Sequence, residues 1–163
     1  MDLSTLVSCF FITYCVSSFP ASWFVERYGL RAGVMVGAWL QAIGCAIRVF
    51  ATPVVGHPVD DEAAHGNLTL LMFGQVVASL AQAFFVNTPP LLAAVWFGVN
   101  ERTLATTIAC NANTLGIAVA FVLGPAIVDS VDDLPAYMWL CAGATLATAL
   151  LSSVYFPAAP PTL

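Results

Sequence analysis

Residues 104–128 read LATTIACNANTLGIAVAFVLGPAIV, without one Asp, Glu, Lys, Arg or His. A helix of that length, at about 1.5 Å per residue, outreaches the ~30 Å hydrocarbon core of a bilayer. Its apolar residues fall on all sides of a helical wheel and show no strand-like alternation, so it reads as a membrane-spanning helix and not as a barrel strand. Working outward, four more stretches have the same character. The expected spans are about 6–25, 32–51, 68–90, 104–128 and 136–156. The apolar run that starts at Leu68 continues to Phe97, longer than a span needs. Pro89 and Pro90 are expected to kink it, with Leu91–Phe97 leading out of the membrane. Arg48 lies near one end of the second span, where a long side chain can snorkel to the interface. The fold class is all-α, a multi-pass transmembrane helix bundle forming a single transmembrane domain over residues 1–163.

Composition agrees. Of 163 residues, 60% are hydrophobic and 8% charged, with a mean hydropathy of +0.91. A soluble domain carries about 25% charged residues to cover its surface. So few charges exclude a soluble enzyme. There is no lysine, and the four arginines are Arg27, Arg31, Arg48 and Arg102. Nothing can neutralise a row of phosphates, so nucleic acid is excluded as a partner. No expected span holds a carboxylate, His or Lys to act as acid or base, so no catalytic residue is assigned and no cofactor is implied.

The arginines set the orientation. Arg27 and Arg31 lie in the first loop and Arg102 in the third, while the second loop holds His57, Asp60, Asp61, Glu62 and His65 and the fourth holds Asp129, Asp132 and Asp133. The first and third loops are therefore expected in the cytoplasm. Trp23, Phe24, Trp96 and Phe97 then mark cytoplasmic interfaces. This leaves the N-terminus on the far side, with no basic region typical of a signal peptide. An odd number of spans starting there implies a missing upstream helix. The chain reads as a fragment or truncated gene model, the alternative being a true five-span protein with an exported N-terminus.

Cys9, Cys15, Cys45, Cys110 and Cys141 all fall in spans at spacings unlike a metal site and read as small apolar residues. The His and acidic residues of the second loop read as a solvated loop, and no metal site is assigned. Asn67-Leu68-Thr69 is a glycosylation sequon that abuts the membrane.

The first cytoplasmic loop runs Ser22-Trp23-Phe24-Val25-Glu26-Arg27-Tyr28-Gly29-Leu30-Arg31. It resembles the G-x-x-x-D-R-x-G-R-R/K signature between the second and third helices of major facilitator superfamily transporters. By position Glu26 stands for the acid, Arg27 for the first base, Gly29 for the turn glycine and Arg31 for the last base. Ser22 replaces the leading glycine and Leu30 one base. Asn87-Thr88-Pro89-Pro90, Ala94-Val95-Trp96-Phe97-Gly98, Glu101-Arg102 and Leu115-Gly116-Ile117-Ala118-Val119-Ala120-Phe121 are similar to the solute carrier family 49 branch (feline leukaemia virus subgroup C receptor-related and disrupted in renal carcinoma 2-like proteins). Ala38-Trp39-Leu40 and Gly74-Gln75 share that likeness. The resemblance covers essentially the whole chain and implies helices two to six of a twelve-helix carrier. Choline-transporting members carry a glutamine before the Leu-Gly pair, where this chain has Thr114.

The resemblance implies transport of a small organic solute by alternating access. A non-transporting receptor or scaffold and an inactive fragment are the alternatives. Two residue sets follow. Glu26, Arg27, Gly29, Arg31, Glu101 and Arg102 are expected at a cytoplasmic gate, with Glu26 pairing Arg102, or Arg27 or Arg31 pairing Glu101, in some transport state; alternatively these charges only set topology. Gln75, Ser79 and Gln82 recur at helical spacing in the third span, as do Thr107, Asn111 and Thr114, beside Asn113, in the fourth. Both faces are expected to turn inward as a solute path, or to serve as interhelical glue. The small-residue pairs Gly33/Gly37 and Gly116/Ala120/Gly124 predict close helix packing. Expected partners are the solute and the lipid bilayer. The membrane (plasma, endolysosomal or vacuolar) and the oligomeric state stay open.

Overall fold

The computed structural model describes residues 3–51 and 61–157, and among these every element is helical. The order is α1 (Leu3–Tyr28), α2 (Leu30–Ala51), α3 (Asp61–Trp96), α4 (Arg102–Ile127), a short 3₁₀ turn (Val131–Asp133) and α5 (Leu134–Tyr155). All five α-helices are long and apolar enough to cross a membrane. His57 and Asp60, and the side chains of Asp61, Glu62, His65 and Asn67, lie outside the described residues. The metal and sequon readings therefore have no structural counterpart here.

The first loop is far shorter than its sequence implies. Gly29 alone separates α1 from α2, at φ +87°. That left-handed conformation costs an L-residue about 1–2 kcal/mol and glycine nothing. The Gly29 N–H donates to the Val25 carbonyl at 2.9 Å, which closes α1 with a single-bond αL cap. Glu26 and Arg27 thus belong to the last turn of α1 and Arg31 to the first turn of α2.

A second departure concerns Pro89 and Pro90. Beyond the expected span end at residue 90, α3 stays helical through both prolines to Trp96. Each proline removes one main-chain donor, so the carbonyls of Phe85 and Val86 lose their usual partners without forcing the chain out of helical geometry. Thr88 Oγ1 donates to the Phe84 carbonyl at 2.5 Å, reinforcing the same turn. Ala93, five residues past Thr88, is buried, so Leu91–Trp96 packs as part of the bundle.

The bundle is organised around α2 and α3, which share the most extensive interface. α1 packs on α3, α5 on α2, and α4 touches α3. The interior is made of small side chains, among them Ala21, Ala38, Ala42, Cys45, Ala78, Ala81, Ala83 and Ala149, whereas Phe, Trp and Leu side chains crowd the outer surface. Lipid tails are as apolar as leucine, so large side chains gain nothing by turning inward and close backbone approach decides the packing. A Cβ built on Gly44 would stand 3.0 Å from the Ala78 nitrogen and 3.1 Å from the Gly74 carbonyl oxygen; one on Gly37 would meet Phe84 Cβ at 3.0 Å. On α4 the same spacing packs nothing: a Cβ on Gly116 finds open space and one on Gly124 only the Tyr137 hydroxyl at 3.9 Å. The close approach expected from sequence holds for Gly37, and the expected packing of Gly116 and Gly124 is corrected.

This contrast sets an expected outcome for thermal unfolding of the chain in detergent. Gly44→Ala should destabilise it by about 1–3 kcal/mol, the cost of overpacking against backbone. Gly116→Ala should be neutral or slightly stabilising, because alanine is the better helix former by about 1 kcal/mol. Equal shifts for both would contradict the assigned seam.

Candidate functional site

Two regions carry the polar chemistry, the end of the bundle bearing the arginine motif and the faces of α3 and α4. At the first, Glu26, Arg27, Arg31, Glu101 and Arg102 are all exposed. They form no ion pair with one another in this conformation. Arg102 Nε instead donates to the Phe97 carbonyl at 3.2 Å. Glu101 occupies the N-cap position of α4 without a side-chain capping bond. Beneath the motif lies an aromatic cluster: Tyr28 packs on Phe24 (centroids 4.6 Å apart) and Trp23 (6.5 Å), and Phe24 meets Phe84 of α3 edge-on at 5.8 Å.

Of the residues expected along a solute path, those on α3 divide. Ser79 is fully buried, and its hydroxyl donates to the carbonyls of Gln75 and Val76, each at 2.9 Å. It is sealed in the helix packing, not open to a path. Gln75 and Gln82 are half-buried.

The α4 set is uncovered. Asn111, Asn113 and Thr114 are exposed, and no residue of α4 is buried. Among the described residues α4 makes its main contact with α3. Its polar groups bond back to their own helix: Thr107 Oγ1 to the Thr103 carbonyl at 2.8 Å, Asn111 Nδ2 to the Thr107 carbonyl at 2.9 Å and Thr114 Oγ1 to the Cys110 carbonyl at 3.5 Å. An open groove runs along Asn111, Thr114 and Ala118.

A cleft of about 590 Å³ lies between α2, α4 and α5, lined by Gln41, Cys45, Arg48, Gly116, Tyr137 and Thr145 among others. None of the expected path residues lines it. Its polar groups are too scattered along the sequence for periodicity to collect them.

Sequence reasoning also missed a contact between α1 and α3. Asn87 Nδ2 donates to Ser18 Oγ at 3.0 Å, Ser22 Oγ at 3.0 Å and the Ser18 carbonyl at 3.2 Å. The available signal was the pair Ser18/Ser22, one helical turn apart.

On the acidic side, Asp133 Oδ2 accepts from Ser130 Oγ at 2.9 Å and from the Ser130 amide at 3.0 Å. The Ser130 hydroxyl first, and then its amide, hold the carboxyl below the ordinary aspartate value. Hydrogen bonds to the ionised form favour it.

Five apolar helices in a small-residue bundle, with a basic one-residue turn at one end, define a polytopic membrane protein. The comparisons specify which kind. A model described as Major Facilitator Superfamily matches residues 1–163. The choline/ethanolamine transporter FLVCR2 of Rattus norvegicus is 33% identical over 128 residues, covering 78% of this chain and 21% of the relative. The choline/ethanolamine transporter flvcr2b of Danio rerio is 32% identical over 164 residues, 94% of this chain and 32% of the relative. Solute carrier family 49 member A3 of Danio rerio is 34% identical over 125 residues, 77% of this chain and 25% of the relative. The chain belongs to the major facilitator superfamily, in its solute carrier family 49 branch, and so to a family of transporters and not of enzymes. It spans about a fifth to a third of the length of these relatives.

The Asp133 cap gives a pH prediction. Its pKa is depressed in the fold, so its stabilisation is fully present above the ordinary value of 3.8 and is lost as pH falls through the lowered value. The Ser130 amide proton, followed by NMR in micelles, should titrate with a midpoint below 3.8, and Ser130→Ala should move the carboxyl midpoint back up toward it. A midpoint at or above 3.8 in the unaltered chain would remove the assignment.

Proposed function

We propose that the chain forms part of a carrier that moves a small, neutral or cationic polar solute across a membrane by alternating access. The observation that carries this reading is the exposed polar face of α4, with Asn111, Asn113 and Thr114 uncovered. Amides and hydroxyls facing hydrocarbon are costly unless they meet water or a polar partner. A face of this kind is suited to line a water-filled path, with Gln75 and Gln82 of α3 as further hydrogen-bonding groups. The two transporter relatives named for choline and ethanolamine support this chemistry. Thr114, shorter than the glutamine that choline-transporting members carry, points to a solute other than choline itself. Glu26, Arg27, Arg31, Glu101 and Arg102, turning on Gly29, are the gate at the cytoplasmic end. Exposed pairs there are worth about 0–1 kcal/mol, enough to bias two nearly balanced states.

The test is uptake by the full-length protein in proteoliposomes, with choline, ethanolamine and other small amines and amides as radiolabelled probes. Saturable uptake of at least one is expected; none, in protein shown to be folded, would favour a receptor or scaffold. Gln75→Ala and Asn113→Ala should each cut uptake per folded molecule about 3- to 30-fold, the equivalent of losing one membrane hydrogen bond of about 0.6–2 kcal/mol. Unchanged uptake and apparent affinity in both would make these amides structural glue.

The gate has its own test. Glu26→Arg and Arg102→Glu should each lower turnover, and the double exchange should recover it. Additive losses would show that the two charges set topology without pairing.

A further inference from the structure

We propose that Asn87 is a positioning residue that couples the proline-weakened turn of α3 to the charge motif at the end of α1. The role rests on the transport reading above, but its geometry stands by itself. The Asn87 amide has two protons, and Ser18 Oγ and Ser22 Oγ, both at 3.0 Å, are placed to take them, with the Ser18 carbonyl at 3.2 Å sharing one. These bonds join separate helices, whereas Ser17, Ser79 and Thr88 bond back to their own helix.

Position gives the contact its consequence. Asn87 stands two residues before Pro89 and directly after Phe85 and Val86, whose carbonyls Pro89 and Pro90 deprive of donors. The α3 turn that has lost longitudinal hydrogen bonds is therefore the turn tied sideways to α1. On α1, Ser22 lies one turn before Glu26, and Phe24, between them, meets Phe84 of α3 at 5.8 Å. The end of α1 is thus held to α3 by an amide clamp and an aromatic contact. Over its whole length α1 packs more on α3 than on α2, and at this end Val25 also sits close against Gly33 of α2. Any change of angle at the proline turn carries Glu26 and Arg27 with it. Asn87 touches no gate charge; it acts through Ser18 and Ser22.

The test measures position and transport separately. Bioorthogonal spin labels on Tyr28 and Val99, exposed residues at the motif end, report the separation of the first and third loops in the full chain by pulsed electron resonance. Labels on Phe50 and Trp139, exposed at the far ends of α2 and α5, serve as control. Asn87→Ala should broaden the first distance distribution at least twofold and leave the control unchanged. Ser22→Ala, which removes one acceptor and keeps the helix propensity, should give an intermediate broadening, and adding it to Asn87→Ala should do nothing more. In uptake assays Asn87→Ala should lower turnover with apparent affinity kept. An unchanged Tyr28–Val99 distribution, equal broadening of both label pairs, or additive effects of the two substitutions would each overturn the coupling. If transport is absent altogether while the label distances respond as stated, the transport reading fails and the clamp survives.

Discussion

The seam between α2 and α3 is where the fold is decided, and it depends on the missing side chains of Gly44 and Gly74. In water, two helices with apolar faces are driven together by the hydrophobic effect. In lipid that drive is absent, and dispersion between closely apposed backbones must replace it. A Cβ on Gly74 would stand 3.0 Å from the Gly44 carbonyl oxygen, and one on Gly44 would reach the Ala78 backbone. The other helices attach to this pair. Ala149 of α5 joins Ala38 and Ala42 in a small-residue core against which Phe85 packs, and Trp39 Nε1 of α2 donates to Ser153 Oγ of α5 at 3.2 Å. α1 then closes on α3 through Asn87 and Phe84.

What the sequence made legible follows from this physics. Apolar length alone located α1, α2, α4 and α5 to within three residues of their observed ends, because desolvated backbone must be helical wherever it crosses hydrocarbon. The α3 boundary failed at Pro89-Pro90. Proline's effect depends on whether neighbouring helices hold the weakened turn, and that is a tertiary property. Glycine spacing was ambiguous for the same reason. Gly37 meets Phe84 and Phe85, while Gly116, in an equally regular series, meets nothing within 4 Å. Gly44 and Gly74 sit on different helices, so no periodicity within one helix pairs them. In the candidate site, residue types were readable and directions were not. Ser79 and Asn111 both looked like path residues, yet one is sealed and the other uncovered.

The uncovered face of α4 is best understood by comparison with α1. Both helices contact α3 and are of equal length. On α1 the hydroxyl oxygens of Ser18 and Ser22 accept from Asn87, whereas on α4 the hydroxyls of Thr107 and Thr114 and the amide of Asn111 donate to carbonyls of their own helix. Back-bonding of this kind satisfies the donors but leaves the remaining lone pairs and the second amide proton of Asn111 uncommitted. Such a face keeps polar sites without partners, and it gains when water, a polar surface or a solute arrives.

The departure of this chain from the family motif has a physical explanation at Ser22. A glycine at that position lets a neighbouring backbone approach; a serine blocks the approach and offers a hydroxyl instead. The structure uses the hydroxyl, at 3.0 Å from Asn87 Nδ2. Close packing is a contact that tolerates sliding along the groove, whereas a hydrogen bond has one preferred register and is lost over about 1 Å. Exchanging one for the other fixes the height of α1 against α3, one turn below Glu26. The acid of the motif is thereby held at a set level relative to the proline turn, and a shift of that turn is passed on to the charges instead of being absorbed by slippage between the two helices.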